Sequence, residues 1–384
     1  MEHTGQHEAR LARALVALEG LAVGDAFGDQ FFKQREQAAE RLANRTLLES
    51  PWPYTDDTQM ALSLVSILRQ YGSIQQDQLA ASFAEHYEGS RAYGPSMHYL
   101  LRAIRAGNPW REATAQQFAG QGSFGNGAAM RIAPLGAYFA DDLQAVIEQA
   151  TLAAEVTHTH PEAIAGSIAV ALATAYAWQL RQSGRLPERP EFLDLILPHI
   201  PTSEVRRKIR WARDFSADIA LDAVVNQLGN GSKISSQDTV PFVLWCAGES
   251  LNDYQEALWL TASALGDVDT TCAMVGGIVA TYTGPTAIPT AWLQAREPLP
   301  TWHLAPRKSN NKRELYVRGL SPLNLFLHEK SNNKRELYVR GLSPLNLFLH
   351  EKSNNKRELY VRGLSLLNLF CMKRGNNNSL RQIK

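Results

Sequence analysis

Apolar residues recur every three or four positions through residues 1–307, which is the spacing of one face of an α-helix. One such stripe runs through residues 11–22 and another through residues 61–68. Residues 163–178 are apolar nearly all round. A bilayer-spanning helix needs about 20 residues, so we predict a buried core helix here and no membrane span. Sustained alternation, the mark of half-buried strands, is not found in this part. The pattern therefore predicts an all-α domain.

The pattern changes at residue 308, where a 22-residue tandem repeat begins. Residues 308–329 recur unchanged at 330–351, and residues 352–373 match them at 18 of 22 positions. We therefore divide the chain into a body, residues 1–307, and a repeat tail, residues 308–384. The leucine spacing allows a leucine-rich solenoid, and the Lys/Arg clusters allow nucleic-acid contact. Identical copies without polar caps instead favour a duplicated, poorly ordered appendage, so we expect no nucleic-acid partner.

Composition and charge fit a globular protein of 384 residues, 45% hydrophobic and 20% charged. The net charge of +1 hides an asymmetry, because the repeat tail holds 16 basic and 5 acidic residues while the body holds 23 and 33. Residues 1–10 are polar and carry both signs of charge, which does not resemble a secretory signal. The three cysteines form no Cys-x-x-Cys pair, so we expect a cytoplasmic protein without disulfides.

Two acidic segments precede predicted helices. Residues 55–58 read Thr-Asp-Asp-Thr, and residues 266–271 read Gly-Asp-Val-Asp-Thr-Thr. Asp and Thr are preferred helix N-caps, and acids in a first turn complement the helix dipole, so capping accounts for each segment taken alone. A cap needs only one such side chain, however, whereas each segment offers two carboxylates and a hydroxyl.

Together the two segments supply a donor set made of oxygen alone. Such ligands suit Mg²⁺, Mn²⁺ or Ca²⁺ and not zinc, and the spacing lacks the twelve-residue loop of an EF-hand. Four carboxylates in one place would need about two divalent cations to neutralise them. We therefore favour a site for two Mg²⁺ ions, with Mn²⁺ as an alternative, over two separate helix caps. The candidate ligands are the carboxylates of Asp56, Asp57, Asp267 and Asp269, with a threonine hydroxyl from each segment.

Three other segments could contact a ligand. Residues 122–131 read Gly-Ser-Phe-Gly-Asn-Gly-Ala-Ala-Met-Arg, in which glycines let backbone amides approach a phosphate and Phe124 could stack on a base. A plain surface loop is the alternative. Residues 157–160 read Thr-His-Thr-His, and we expect His158 to cap a helix or contact a ligand rather than bind metal. At residues 24–29, Gly-Asp-Ala-Phe-Gly-Asp, the first helix is expected to end in a turn.

In their order along the chain these segments resemble the ADP-ribosylglycohydrolase family, which includes the dinitrogenase-reductase-activating glycohydrolase. The matching stretches are GDAFG at 24–28, TDDTQMAL at 55–62, GSFGNGAAMRIAPLG at 122–136, THTHPEAIAG at 157–166 and LGDVDTTCAMVGGIVA at 265–280. The resemblance covers essentially the whole body and leaves the repeat tail without a counterpart.

The resemblance implies an all-α orthogonal helical bundle around a binuclear Mg²⁺ site. The ligands that it implies are Thr55, Asp56, Asp57, Asp267, Asp269 and Thr270. It also implies contacts to ADP-ribose from a second group of residues. These are Gly94, Gly122, Ser123, Phe124, Gly125 and His158. Some members of the family place an acidic residue near the metals just after the turn that corresponds to residues 24–28. Asp29 is the candidate for that role here.

The implied reaction is hydrolysis of the bond between the anomeric ribose carbon of ADP-ribose and an atom of its carrier, an ADP-ribosylated protein or a small conjugate. Such cleavage passes through an oxocarbenium-like state, and bound metals can position ribose hydroxyls and activate water. We expect the carboxylates mainly to hold metal, with one of Asp56, Asp57 and Asp269 also accepting a proton. The alternative is a catalytically inactive ADP-ribose-binding or structural protein on the same fold.

Overall fold

The computed structural model describes residues 2–33 and 35–305, together with the backbone of six short strands between residues 325 and 382. The chain divides into two compact units, Met1–Arg307 and Lys308–Lys384.

The first unit is built from α-helices joined by short loops and 3-10 turns, so the all-α prediction for the body is confirmed. Its described helices are α1 (Glu2–Lys33), α2 (Arg35–Ala43), α3 (Asp56–Tyr71), α4 (Gln76–Glu85), α5 (Pro95–Arg105), α6 (Trp110–Ala115), α7 (Ala133–Tyr138), α8 (Leu143–Glu155), α9 (Pro161–Ser183), α10 (Arg189–Ile196), α11 (Glu204–Asp214), α12 (Leu221–Leu228), α13 (Ser236–Glu249), α14 (Tyr254–Ser263), α15 (Val268–Thr283) and α16 (Thr290–Ala295).

The helices α1 and α15 pack against each other at unusually close range, and glycines on α1 make this possible. A Cβ atom added to Gly24 would lie 2.2 Å from the carbonyl oxygen of Cys272, and one added to Gly28 would lie 2.4 Å from that of Val268. The expectation that α1 ends in a turn at residues 24–29 is therefore wrong, because the helix continues to Lys33. These glycines serve helix packing rather than a C-cap.

The apolar helix α9 lies in the middle of the first unit. Its length and composition would allow it to cross a bilayer, but 83% of its most apolar window is buried inside the protein. The prediction of a buried core helix is confirmed. Pro161 begins this helix and Pro95 begins α5, as expected of proline in a first turn. Pro241, in contrast, lies inside α13.

The second unit contains two antiparallel sheets among its described residues. Four strands, β1 (Leu325–Lys330), β2 (Lys334–Val339), β3 (Leu347–Lys352) and β4 (Lys356–Val361), pair in that order, and β5 (Phe370–Cys371) pairs with β6 (Arg381–Gln382). Leu325 is opposite Val339 and Leu347 is opposite Val361, so the repeated sequence gives a repeated register. The sequence does not predict these strands. The remainder of the expected poorly ordered tail lies outside the described residues.

Candidate functional site

The N-termini of α3 and α15 meet and form an acid cluster. The Thr270 hydroxyl donates a hydrogen bond to Asp57 Oδ2 over 3.4 Å, and the Thr55 hydroxyl oxygen lies 3.0 Å from the same atom. Thr270 and Asp57 are 213 positions apart in the sequence. The two acidic segments therefore share one place in the fold. We define the acid cluster as Thr55, Asp56, Asp57, Asp267, Asp269 and Thr270, all of which come from these two helix starts.

Helix capping does not account for these residues. The residues at the N-cap positions of α3 and α15 are Thr55 and Asp267, and neither side chain makes a capping hydrogen bond. The first turn of α3 is instead satisfied from another helix, since the Thr58 amide donates to Asp25 Oδ2 of α1 over 3.2 Å. The carboxylates at both helix starts remain available for another purpose.

Asp25 is a site residue that the sequence analysis did not select. It is fully buried, and its carboxylate accepts hydrogen bonds from the amide and the hydroxyl of both Thr55 and Thr58. This carboxylate therefore fixes the start of α3. A signal was present in the sequence, because Asp25 continues the apolar stripe of α1 through Leu21 and Ala22. A carboxylate on a buried helix face is rare and calls for a partner.

Asp29 lies one turn further along α1 and is 6% exposed. It lines a cavity of about 270 Å³ at the start of α3, together with Tyr54, Thr55, Glu88 and Arg91. Asp29 is thus adjacent to the acid cluster, as its position after residues 24–28 suggested. Its part in metal binding stays a prediction.

Burial dominates the electrostatics of the acid cluster. It raises the pKa of Asp56 to about 8, and the neighbouring Asp25 carboxylate adds to that rise, whereas the buried Arg131 guanidinium opposes it. Burial also raises the pKa of Asp57 and that of Asp269 well above the usual range, with smaller contributions from nearby carboxylates. Among the described residues, no basic side chain forms an ion pair with these three acids. The cluster is short of positive charge.

The donor set fits a divalent cation in its chemistry. All of its side-chain donors are oxygen, and Asp57 Oδ1 is buried without a hydrogen-bond partner in the described part of the chain. An unpartnered buried carboxylate oxygen is costly, so it marks a position where a cation or a polar ligand would be stabilising. Within the described part of the chain, no three His, Cys, Asp or Glu side chains stand as a ready-made metal shell.

The glycine-rich loop at residues 122–127 adjoins the acid cluster. The Asn126 side-chain amide donates to Asp267 Oδ2 over 2.7 Å and joins the two directly. Gly122 has a φ of +76°, and a Cβ atom there would lie 2.1 Å from the Thr159 hydroxyl, so only glycine fits. The loop therefore adjoins the acid cluster and is not a plain surface loop, and its contact with ADP-ribose stays a prediction.

The structure narrows which amides of this loop could hold a phosphate. The Gly122 amide donates to the carbonyl of Gln117, and the Gly125 amide donates to the Ser123 hydroxyl. These two amides are therefore already used within the loop. The amides of Ser123 and Phe124 have no acceptor among the described residues and stay available.

Phe124 is 39% exposed and has an aromatic neighbour that the sequence did not indicate. The ring of Phe118, which is 51% exposed, lies 6.2 Å from that of Phe124, and the His160 ring meets Phe124 edge-on at 5.5 Å. Phe118 and Ala119 both adopt left-handed backbone conformations, at φ values of 51° and 56°. Exposed aromatic rings on a strained backbone are typical of a ligand-binding surface.

His158 and Gly94 complete the set of residues selected from the sequence. His158 is buried, its Nδ1 atom lies 2.7 Å from the Thr157 hydroxyl, and burial lowers its pKa to about 3. Gly94 precedes α5, and a Cβ atom on it would meet only open space. Its loop lies along the acid cluster, since the Asp56 amide donates to the Arg91 carbonyl over 2.8 Å. No contact with a described residue requires glycine at position 94.

Comparison with known proteins assigns the chain to a family. The family model described as ADP-ribosylglycohydrolase matches residues 6–315, and the chain belongs to that family. The resemblance inferred from the five sequence stretches is thereby confirmed.

Individual relatives agree with this assignment. The chain is 30% identical over 280 residues to the human protein named ADP-ribosylhydrolase ARH3, covering 64% of this chain and 74% of the relative. It is 32% identical over 291 residues to an uncharacterised protein of Archaeoglobus fulgidus, covering 72% and 88%. A solved structure described as an ADP-ribosylglycohydrolase-related protein complex has a TM-score of 0.54 at 24% identity, covering 76% of this chain and 94% of that one. This last likeness concerns the fold alone.

Proposed function

We propose that the chain is a Mg²⁺-dependent hydrolase that cleaves the glycosidic bond between ADP-ribose and a protein side chain or a small acceptor. The observation that carries the proposal is the hydrogen bond from Thr270 to Asp57, which unites the two acidic segments. The contact between Asn126 and Asp267 adds the glycine-rich loop to the same site. Membership of the ADP-ribosylglycohydrolase family supports the substrate class.

The residues that would hold the metal are those of the acid cluster, Thr55, Asp56, Asp57, Asp267, Asp269 and Thr270. Two Mg²⁺ ions, or Mn²⁺ in their place, would offset the four carboxylate charges. When bound, such ions supply positive charge that orients ribose hydroxyls and lowers the pKa of a water molecule. Asp25 is not among the proposed metal ligands, because both of its oxygens accept hydrogen bonds from hydroxyls at the start of α3.

Asp56 is the acid best placed to accept a proton from the attacking water. Its carboxylate accepts no hydrogen bond from any other described residue, so both of its oxygens are free, whereas Asp57 has one such oxygen and Asp269 Oδ1 accepts from the Thr270 amide. A general base needs a free oxygen within reach of the proton it removes. Asp57 and Asp269 would then mainly hold the metal ions and, as charged groups, would help to stabilise the oxocarbenium-like state.

The rest of ADP-ribose would lie along the glycine-rich loop. The free amides of Ser123 and Phe124 would donate to the diphosphate, because successive backbone amides form good anion sites. The exposed rings of Phe124 and Phe118 would stack on the adenine. His158 would contact the nucleotide between these two parts.

The test is release of ADP-ribose from a panel of arginine-, serine- and O-acetyl-linked substrates, with Mg²⁺, with Mn²⁺ and with EDTA. We expect release from at least one linkage that requires the metal and is lost in Asp56→Asn. A matched control is Asp77→Asn, which neutralises an exposed acid of α4 that pairs with Arg111. This control should keep wild-type turnover. Binding of ADP-ribose without release from any linkage would refute the hydrolase and favour the inactive binding protein.

A further inference from the structure

Arg131, at the end of the glycine-rich segment, is a buried cation with an unusual set of partners. It is fully buried, and one of its Nη atoms donates to the Ala153 carbonyl over 3.0 Å and to the Thr157 hydroxyl over 2.8 Å. The other Nη atom contacts Met60 Sδ at 3.5 Å, and the guanidinium lies 4.5 Å from the centre of the Phe83 ring. A buried charge is expensive, so the groups to which it donates deserve a functional explanation.

The Thr157 hydroxyl connects Arg131 to His158. A guanidinium group can only donate, so the Thr157 oxygen accepts from Arg131. The hydroxyl proton must then find its own acceptor, because Thr157 is fully buried. The acceptor that the described residues offer is His158 Nδ1, at 2.7 Å. If Nδ1 carried the ring proton instead, the hydroxyl proton would stay buried and unpartnered, which is unfavourable.

The opposite edge of the His158 ring faces the glycine-rich loop. Nε2 would lie 3.0 Å from a Cβ atom added to Gly127 and 3.3 Å from one added to Gly125. Nε2 makes no hydrogen bond to a described residue, although His158 is only 4% exposed. An unpartnered nitrogen on a buried ring, directed at a loop beside the acid cluster, indicates a ligand contact.

We propose that Arg131 and Thr157 fix His158 in the tautomer that carries its proton on Nε2, so that the ring presents one donor to an oxygen atom of bound ADP-ribose. Arg131 and Thr157 are positioning residues, since they act through His158. The identity of the ligand rests on the proposed function. The tautomer rests only on the hydrogen-bond chain, and it can be measured without any ligand.

The first test is ¹⁵N–¹H NMR of the histidine rings in the full-length protein, with His158→Gln used to assign the signal. The His158 proton should be on Nε2 in the wild type and in Thr157→Ser, which keeps the hydroxyl. Thr157→Val removes the hydroxyl, so the ring should lose its preference and show protonated Nδ1. A proton on Nδ1 in the wild type, or an unchanged ring in Thr157→Val, would overturn the proposal.

The second test is the dissociation constant for ADP-ribose. Thr157→Val should weaken binding about tenfold, as expected for one hydrogen bond to a charged ligand, while Thr157→Ser should stay close to the wild type. His158→Gln places an amide NH₂ near the position of Nε2 and should bind better than His158→Asn, which places it near Nδ1. Thr174→Val, a buried threonine of α9 that donates to the Val170 carbonyl, is the matched control and should not change binding.

The two tests separate this proposal from the proposed function. A wild-type protein that binds ADP-ribose while its His158 proton is on Nδ1 would overturn the hydrogen-bond chain and leave the function standing. A wild-type protein that binds no ADP-ribose would overturn both the function and the ligand assigned to His158. Equal losses of affinity in Thr157→Val and Thr174→Val would show a general effect of packing and would also refute the positioning role.

Discussion

Replacing Asp56 by asparagine should stabilise the metal-free protein at neutral pH, even though it removes a proposed metal ligand. Burial raises the pKa of Asp56 to about 8 from an ordinary value of 3.8, so folding is linked to uptake of a proton by this carboxyl. A raised pKa in the folded state means that the contribution of Asp56 to wild-type stability is greatest below about pH 4 and is lost as the pH rises towards 8. Asparagine does not titrate, and the variant escapes this loss.

The size of the effect follows from the pKa difference. Each pH unit above the ordinary pKa costs the wild type about 1.4 kcal/mol until the folded pKa is reached. The gain in the variant should therefore approach about 4 kcal/mol at pH 7 and fall to about 2 kcal/mol at pH 5. These are upper limits, because the other acids of the cluster can take up part of the proton. Little is lost in exchange, since the Asp56 carboxylate accepts no hydrogen bond from another described residue.

The assay is denaturant unfolding in EDTA at pH 5 and pH 7, repeated at pH 7 with excess Mg²⁺. A ligand that binds only the folded state raises its stability, so Mg²⁺ should stabilise the wild type more than the variant. With excess Mg²⁺ the wild type can therefore become the more stable of the two proteins. Asp77→Asn is the control. Hydrogen bonds from Trp110 and Arg111 lower the pKa of Asp77, so its replacement should have the same small effect at both pH values. A destabilised Asp56→Asn protein in EDTA, with no dependence on pH or Mg²⁺, would refute the reasoning.

Three further outcomes can be measured. Asp57→Asn and Asp269→Asn should each abolish most turnover, and the double variant should be little worse than either, because residues that act as a unit are non-additive; additive losses would point to separate roles. Phe124→Ala should reduce the thermal stabilisation by ADP-ribose, since base stacking is worth about 1–3 kcal/mol; an unchanged shift would remove this ring from the site. Truncation after Arg307 should leave turnover and Tm nearly unchanged, because the repeat tail supplies no residue of the site, and a drop of several degrees would contradict this.

The sequence was sufficient for the parts of the site that are local. Helix starts at Thr55 and Asp267 follow from side-chain chemistry and apolar spacing within a few residues. The prediction that the two helix starts lie at one site rested on charge and on the ligand preferences of metals. The contact between Thr270 and Asp57 supports it. The sequence could not tell which backbone amides of the glycine-rich loop are already used, since the Gly122 amide bonds to Gln117 only in the folded loop.

Other residues were missed because their role depends on what the fold places beside them. Phe118 is a residue type that usually lies in the core, and only its exposure next to Phe124 distinguishes it. Arg131 lies in the family-like stretch 122–136, but no sequence pattern reveals that its guanidinium is buried and donates a hydrogen bond to Thr157. Asp25 had a visible signal, yet the flanking glycines suggested a helix end and concealed it.

The glycines of α1 connect these local and long-range parts of the argument. Gly24 and Gly28 let α1 approach the backbone of α15 so closely that a methyl group on either would collide with a carbonyl. Asp25 lies between them on the same helix, and its carboxylate holds the first turn of α3. The contact between α1 and α15 therefore sets how far the two acidic helix starts stand apart. Short-range packing of small residues, rather than attraction within the acid cluster, brings the four acids together, and the free energy of burying α1 offsets the cost of burying them.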